Sequence, residues 1–248
     1  MPVDVRIFPA LSDNYGFLVR DRATGLVAAV DTPDADAVLA DAEAAGWTIS
    51  LILNTHWHPD HTQGNAAVKA ATGAEIVGPE EVRKAAPLDR MIAPGDTVEL
   101  GETRFAVIET GGHTLGHISL HAADAATAFT GDALFSMGCG RMFEGTPEQM
   151  WAGLERLMAL PDETTIWSAH EYTAANARFA LSVDDDSPVA ARAQEVFAAR
   201  EAGRFTVPST LGVEKATNPM LRAPVLRPEL SPVQAFAAIR KAKDDFKG

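Results

Sequence analysis

The chain has 248 residues, 46% of them hydrophobic and 22% charged, with a formal net charge of −13. That is globular composition, and the acidic balance argues against nucleic-acid binding as a main role, because phosphate attraction needs a basic face. No apolar run approaches the ~20 residues of a membrane span, no basic-then-apolar leader opens the chain, and the single Cys139 excludes an intrachain disulfide, so a cytoplasmic location is expected.

In chain order, Val3–Phe8 and Tyr15–Arg20 read as strands, and Leu26–Asp31 returns as a third after the turn Asp21–Gly25. Asp34–Ala45 reads as a helix, with Val38, Leu39, Ala42 and Ala45 at helical spacing and Gly46 as its stop. Ile49–Leu53 is a short apolar strand suited to burial on both faces. Gly64–Thr72 reads as a helix and Glu75–Val77 as a strand. From Thr97 to Thr130 the pattern is β again: Thr97–Leu100, Arg104–Glu109, Ile118–Ala122 and Thr127–Thr130. Thr146-Pro147-Glu148-Gln149 is a capping box with proline in the first turn, opening a helix to Ala159. Thr164–Trp167 is one more strand. After His170 the signal is helical: Tyr172–Leu181, Pro188–Ala202 and Pro232–Lys243. The expectation is an α/β domain over 1–170, built of two mixed sheets with helices outside, and a smaller helical domain over 171–248.

The chemistry concentrates in Asn54-Thr55-His56-Trp57-His58-Pro59-Asp60-His61, directly after the Ile49–Leu53 strand. Imidazole is costly to bury unpaired, and three imidazoles with a carboxylate suit a cation. One ion does not take all four comfortably. Read as an extended turn, the segment turns alternate side chains the same way, so His56 and His58 suit one ion while Asp60 and His61 suit a second. Further ligands must come from elsewhere. His113 lies between glycine and threonine after the strand ending near Glu109; Asp132 ends Phe129-Thr130-Gly131; His170 ends Trp167-Ser168-Ala169. Polar residues at the ends of apolar strands are a common way to present groups on one sheet edge. Alone, each would read as a structural histidine or a turn residue. Beside the cluster they read as ligands. His117 and His121 read as structural or outer-sphere residues. Cys139 as a nucleophile is the weaker alternative, because its flanks supply no activating base.

These motifs, Thr55-His-x-His-x-Asp-His61, Gly112-His-Thr-x-Gly-His117 and Gly131-Asp132, resemble the metallo-β-lactamase superfamily. Leu11-Ser12-Asp13-Asn14-Tyr15, Gly138-Cys-Gly-Arg-Met-Phe-Glu-Gly145, Ala169-His-Glu-Tyr-Thr173, Asn218-Pro219 and Arg240-Lys-Ala-Lys-Asp-Asp-Phe246 are similar to glyoxalase II, the hydroxyacylglutathione hydrolases, across essentially the whole chain. The resemblance implies a four-layer αβ/βα sandwich with a smaller C-terminal helical domain and a dinuclear site. His56, His58 and His113 would hold one metal, Asp60, His61 and His170 the other, and Asp132 would bridge them. Zinc is the implied metal, with iron and manganese as alternatives. Arg141, Phe143, Tyr172, Arg240 and Lys243 would bind glutathione. Arg141 stands where many members have lysine, and Phe143 where many have tyrosine, which removes a hydroxyl. The implied reaction is hydrolysis of S-(2-hydroxyacyl)glutathione thioesters, S-D-lactoylglutathione to glutathione and D-lactate, by a hydroxide between the two cations, in methylglyoxal detoxification. Asp60 and Asp132 would serve as catalytic carboxylates, and a monomer is expected.

Independently of the resemblance, Arg240 and Lys243 are three apart near the end of the last helix and share a face. They suit either the helix's negative end or the carboxylates of glutathione. The alternatives are a related mononuclear-iron sulfur dioxygenase, another thioesterase of the superfamily, or a non-catalytic metal-binding protein. His61, His170 and the helical tail speak against the dioxygenase.

Overall fold

A computed structural model describes residues 2–248. Its strands are β1 (Val3–Ala10), β2 (Asn14–Asp21), β3 (Val27–Val30), β4 (Ile49–Leu53), β5 (Glu75–Gly78), β6 (Arg90–Met91), β7 (Thr97–Leu100), β8 (Thr103–Glu109), β9 (Ile118–Ala122), β10 (Thr127–Gly131), β11 (Thr165–Ser168) and β12 (Ser209–Thr210). Its helices are α1 (Ala35–Ala45), α2 (Pro59–Thr62), α3 (Asn65–Thr72), α4 (Pro147–Met158), α5 (Thr173–Val183), α6 (Ser187–Glu201), α7 (Leu211–Thr217), α8 (Ala223–Leu226) and α9 (Pro232–Asp245). The strands form two six-stranded sheets, in the orders β1-β2-β3-β4-β5-β6 and β12-β11-β10-β9-β8-β7. The expected pair of sheets with helices is therefore present. No helix of the described residues is long and apolar enough to cross a membrane.

By compactness the chain divides into two units, one up to Glu109 together with Gly116–Gly131, the other Thr110–Leu115 together with Asp132–Gly248. The first unit holds β1–β10. Its first sheet is mixed: β1, β2 and β3 run antiparallel in succession, and β3 to β6 run parallel. Helix α1 starts on Asp34, whose carboxylate accepts from Ala37 N–H, and stops at left-handed Gly46. Val38 and Ala42 of α1 and Val68 of α3 pack on Phe8, Leu18, Val27, Ala29, Ile49, Ile52 and Ile76. Fully burying one such leucine or isoleucine contributes about 1.5–3 kcal/mol. The other face of this sheet meets the antiparallel β7–β10 strands through aromatic contacts, with the Phe17 and Phe129 rings 5.6 Å apart. Of strand β4, Ile49, Leu51, Ile52 and Leu53 are buried, and Ser50, which interrupts the apolar run, is exposed.

The second unit holds β11, β12 and α4–α9. Helices α5 and α6 pack through small residues, Ala177, Ala180, Val189, Ala193 and Val196, around the buried Met137. Trp151 of α4 packs on Phe236 of α9, ring centroids 5.8 Å apart. Helix α9 opens on a capping box, Ser231 with Gln234.

Several elements differ from the sequence reading. The His-rich loop is not extended throughout. From Pro59 it turns into the helical α2, because proline at the first position sets φ for a helix. Alternation thus describes His56 and His58 only, and Asp60 and His61 are adjacent on a helical turn. Strands β6 and β12 and helices α7 and α8 are absent from the sequence reading. Two to seven residues carry too little periodicity to be seen.

Candidate metal centre and substrate cavity

The first unit supplies His56, His58, Asp60 and His61. Strand β3 ends at Asp31, which takes a left-handed φ of 56°. That conformation turns its buried carboxylate toward the loop after β4. Oδ1 accepts from Thr55 N–H (2.9 Å) and Oδ2 from the Thr55 hydroxyl (2.8 Å). Oδ2 also lies 2.8 Å from His61 Nδ1. His61 Nδ1 therefore carries the proton, and Nε2 presents its lone pair. The same logic fixes His56. The Thr55 hydroxyl has committed its hydrogen to Asp31, so at 3.0 Å it accepts from His56 Nδ1–H. His56 Nε2 then presents its lone pair, 3.1 Å from His58 Nδ1. Asn14 donates to both the carbonyl and the carboxylate of Asp60, each at 3.1 Å. Asp60 Oδ2 sits 3.6 Å from His61 Nε2.

His117, directly before β9, lies beside His56 with ring centroids 4.9 Å apart and planes tilted by 33°. His121 lies within β9, and burial lowers its pKa. Gly131 closes this wall. It takes a φ of 47°, and a Cβ there would lie 2.6 Å from Thr55 Oγ1 and 2.8 Å from His117 Nε2.

The second unit supplies His113, Asp132 and His170. His113 Nδ1–H donates to the Arg141 carbonyl (2.8 Å), so Nε2 again presents its lone pair. His113 Nε2 lies 3.3 Å from Asp132 Oδ2, and His170 Nε2 lies 3.3 Å from Asp132 Oδ1. One carboxylate thus offers each of its oxygens to a different histidine. His170 stacks flat on Tyr172, centroids 4.7 Å apart and planes 3° off parallel.

Within the first unit, His56 Nε2 lies 3.1 Å from His58 Nδ1 and Asp60 Oδ2 lies 3.6 Å from His61 Nε2; within the second, Asp132 lies 3.3 Å from both His113 and His170. Of these seven residues, all but His58 and Asp60 are buried. The donors are neutral imidazole nitrogens with their remaining ring protons committed at His56, His61 and His113, together with two carboxylates. That set fits divalent cations.

A cavity of about 490 Å³ opens in the second unit, lined by His113, Asp132, Arg141, Phe143, Tyr172, Arg240 and Lys243 among others. All five residues expected to bind substrate line it, beside two of the candidate ligands. They are not equivalent. Phe143 is 63% exposed at the rim, its ring edge toward His113. Lys243 Nζ donates to the Ala175 carbonyl (2.9 Å) and lies over the Phe179 and Phe246 rings. Burial first, then the charges of Arg240, Arg178 and Arg141, lowers its pKa to about 8. Arg240 is buried, donating from Nη1 to the Cys139 carbonyl (3.0 Å) and from Nη2 to Asp244 Oδ1 (2.7 Å). It shapes the cavity wall and its field while bonded to protein groups. Cys139 is buried too, and burial pushes its thiol pKa up, away from a nucleophile's range.

Sequence reasoning missed Asp31, and it left Asn14 and Thr55 without roles. A signal for Asp31 existed: it ends an apolar strand just as Asp132 does.

Residues 16–170 match the model of the metallo-beta-lactamase superfamily, and residues 171–246 match that of the hydroxyacylglutathione hydrolase C-terminus. A hydroxyacylglutathione hydrolase from Erythrobacter litoralis is 50% identical over 250 residues, covering 98% of this chain and 100% of the relative. Another from Maricaulis maris is 49% identical, covering 98% of each chain. Among solved structures, ETHE1 from Myxococcus xanthus superposes with a TM-score of 0.72 at 27% identity, over 96% of this chain and 90% of that one. With its histidine and aspartate clusters, two mixed sheets and full-length likeness to these relatives, the chain belongs to the hydroxyacylglutathione hydrolase family of the metallo-beta-lactamase superfamily.

Proposed function

We infer that the protein hydrolyses S-(2-hydroxyacyl)glutathione thioesters, S-D-lactoylglutathione foremost, giving glutathione and the 2-hydroxy acid, and so serves methylglyoxal detoxification. The observation carrying this reading is the Asp132 carboxylate, one oxygen toward His113 and the other toward His170, on the wall of a cavity rich in cationic side chains. In this reading His56, His58 and His113 would hold one divalent ion and Asp60, His61 and His170 the other, and Asp132 would serve both. Zinc, iron and manganese all suit such a nitrogen and oxygen set. Residues 1–170 form the catalytic domain and 171–248 the substrate-binding domain. The names of the relatives support the substrate class.

Two divalent cations, when bound, supply a water of lowered pKa and an electrophile for the thioester carbonyl. The chain's own residues do the rest. Arg141, Lys243 and the field of Arg240 attract the carboxylates of glutathione into the cavity. Tyr172 and Phe143 flank the thioester end. Asp132 and Asp60 orient the attacking water through their carboxylate oxygens, and Asn14 holds Asp60 for that task. The departing thiol has a pKa of about 8.5, so its anion leaves without a strong general acid.

The test is purified protein with S-D-lactoylglutathione, following thioester absorbance and metal content together. Protein with two metals bound and no hydrolysis would sink the reading. Asp132→Ala is expected to lose metal and reduce kcat/KM by at least ~100-fold, since even outer-sphere losses reach ~10–100-fold. A fully active, fully loaded variant refutes the bridge. Oxygen uptake with a persulfide substrate would favour a sulfur dioxygenase instead.

A further inference from the structure

The substrate cavity is walled on one side by the turn Phe135–Gly140, and the turn does not hold itself. Its own bonds are a main-chain pair, Phe135 N–H to the Gly138 carbonyl (2.9 Å) and Gly138 N–H to the Phe135 carbonyl (3.1 Å), and a long one from the Cys139 thiol to the Gly140 carbonyl (3.4 Å). Met137 within it takes a left-handed φ of 57°, a conformation costly for a residue with a side chain. What secures it comes from behind. Glu214 of α7 is fully buried. Its Oε2 accepts from Met137 N–H (2.7 Å) and its Oε1 from the Ser136 hydroxyl (3.2 Å). Asn218, also fully buried, donates from Nδ2 to the carbonyls of Phe135 (3.1 Å) and Gly138 (3.0 Å) and to Glu214 Oε2 (3.1 Å). Asn176 donates to the Ser136 carbonyl (3.1 Å).

The turn in turn carries cavity groups. Phe135 sets its ring edge against His170 and Tyr172, centroids 5.7 and 5.5 Å away. The Cys139 carbonyl accepts from Arg240. Gly140 N–H donates to the Asp132 carbonyl (3.1 Å), and a Cβ on Gly140 would sit 2.1 Å from that oxygen. A buried carboxylate in an apolar helix packing is expensive unless donors surround it. Burial raises the pKa of Glu214, and donors from Met137 and Asn218 oppose that shift. Glutamine in its place keeps the shape but has one acceptor oxygen for the two donors of the turn.

We propose that Glu214, seated with Asn218 behind the turn Phe135–Gly140, is a positioning residue for the glutathione cavity, acting on Arg240 through the Cys139 carbonyl and on Tyr172 through Phe135. This rests on the reading of the cavity as a glutathione-thioester site.

The experiment compares wild type, Glu214→Gln, Arg240→Ala and the double variant, all metal-loaded. Measured are kcat and KM for S-D-lactoylglutathione and amide hydrogen exchange by mass spectrometry. Glu214→Gln raises KM by roughly tenfold, the scale of one lost hydrogen bond to a charged group, with kcat changed less than about threefold. Its exchange accelerates in peptides covering 135–140 and not across β1–β5. In the double variant KM exceeds that of Arg240→Ala by less than the factor that Glu214→Gln gives alone, because the Arg240 route is already lost while the Tyr172 route remains. A fall in kcat with KM unchanged, multiplicative KM effects, or unaltered exchange at 135–140 each overturn the proposal. If Glu214→Gln does not fold, Ser136→Ala removes a single donor and must move KM and exchange in the same directions. If the wild type hydrolyses no glutathione thioester, the functional reading fails, and the exchange comparison still decides whether Glu214 holds the turn.

Discussion

Asp31 is the residue on which the histidine loop depends. Its two oxygens gather Thr55 N–H, the Thr55 hydroxyl and His61 Nδ1, and Thr55 passes the constraint on to His56. Two imidazoles on the same loop thereby have their tautomer and ring plane set by one carboxylate. Asp31→Ala is expected to weaken metal retention by ~10–100-fold, read as metal content after dialysis against graded chelator, with a parallel loss of activity. Unchanged retention would mean that packing alone orients His61. The role was partly legible, since a polar residue closing an apolar strand is a recurring signal. What hid it was distance: Asp31 and His61 are 30 residues apart, and nothing local to Asp31 names its partner.

At the level of elements, α9 carries Arg240 and Lys243, and its geometry starts at a cap. The Ser231 hydroxyl accepts from Gln234 N–H (3.4 Å), and the Gln234 carboxamide returns to Ser231 N–H (3.2 Å). Ser231→Ala is expected to cost about 1 kcal/mol of unfolding free energy. Denaturant midpoints check this, with KM at 25 °C unchanged because the cap lies more than two turns from Arg240. A matched rise in KM would show that α9 frays far enough to disturb the cavity. Strong caps, glycine stops and long apolar periods made α1, α3, α4, α6 and α9 readable from sequence. The two-residue strands β6 and β12 were not, since their existence depends on neighbours, and α2 was misread because the histidine spacing alone suggested alternation.

For the molecule as a whole, an acidic chain of net charge −13 keeps a cavity lined by Arg141, Arg240 and Lys243, with Asp244 as the opposing carboxylate there apart from Asp132. Lys243 makes that field pH-dependent. Unfolded, its ammonium holds a proton to about 10.5; folded, to about 8. Between those values the unfolded chain binds more protons, so the folded protein gains stability as pH rises through the window, and the cost of the buried charge is full below it. Affinity for an anionic substrate runs the other way. KM for S-D-lactoylglutathione is expected to rise as pH passes 8, and Lys243→Arg, whose charge persists, should flatten the profile. An equal rise in that variant would assign the effect to the substrate or to another group.

The sequence by itself determined the elements with strong local signals and the identities of the ligand candidates, because histidines and aspartates at strand ends declare their chemistry wherever they fall. It also carried the family likeness, through motifs spread from Leu11 to Phe246. Only the tertiary structure decided that His56, His61 and His113 each commit Nδ1–H to a protein oxygen and that Asp132 offers one oxygen to each of two histidines. It alone set Arg240 against a main-chain carbonyl and put Glu214 behind the turn that forms the cavity wall. Those facts rest on hydrogen bonds between residues up to 101 positions apart, and such partners are chosen by how sheets and helices pack, which no local pattern encodes.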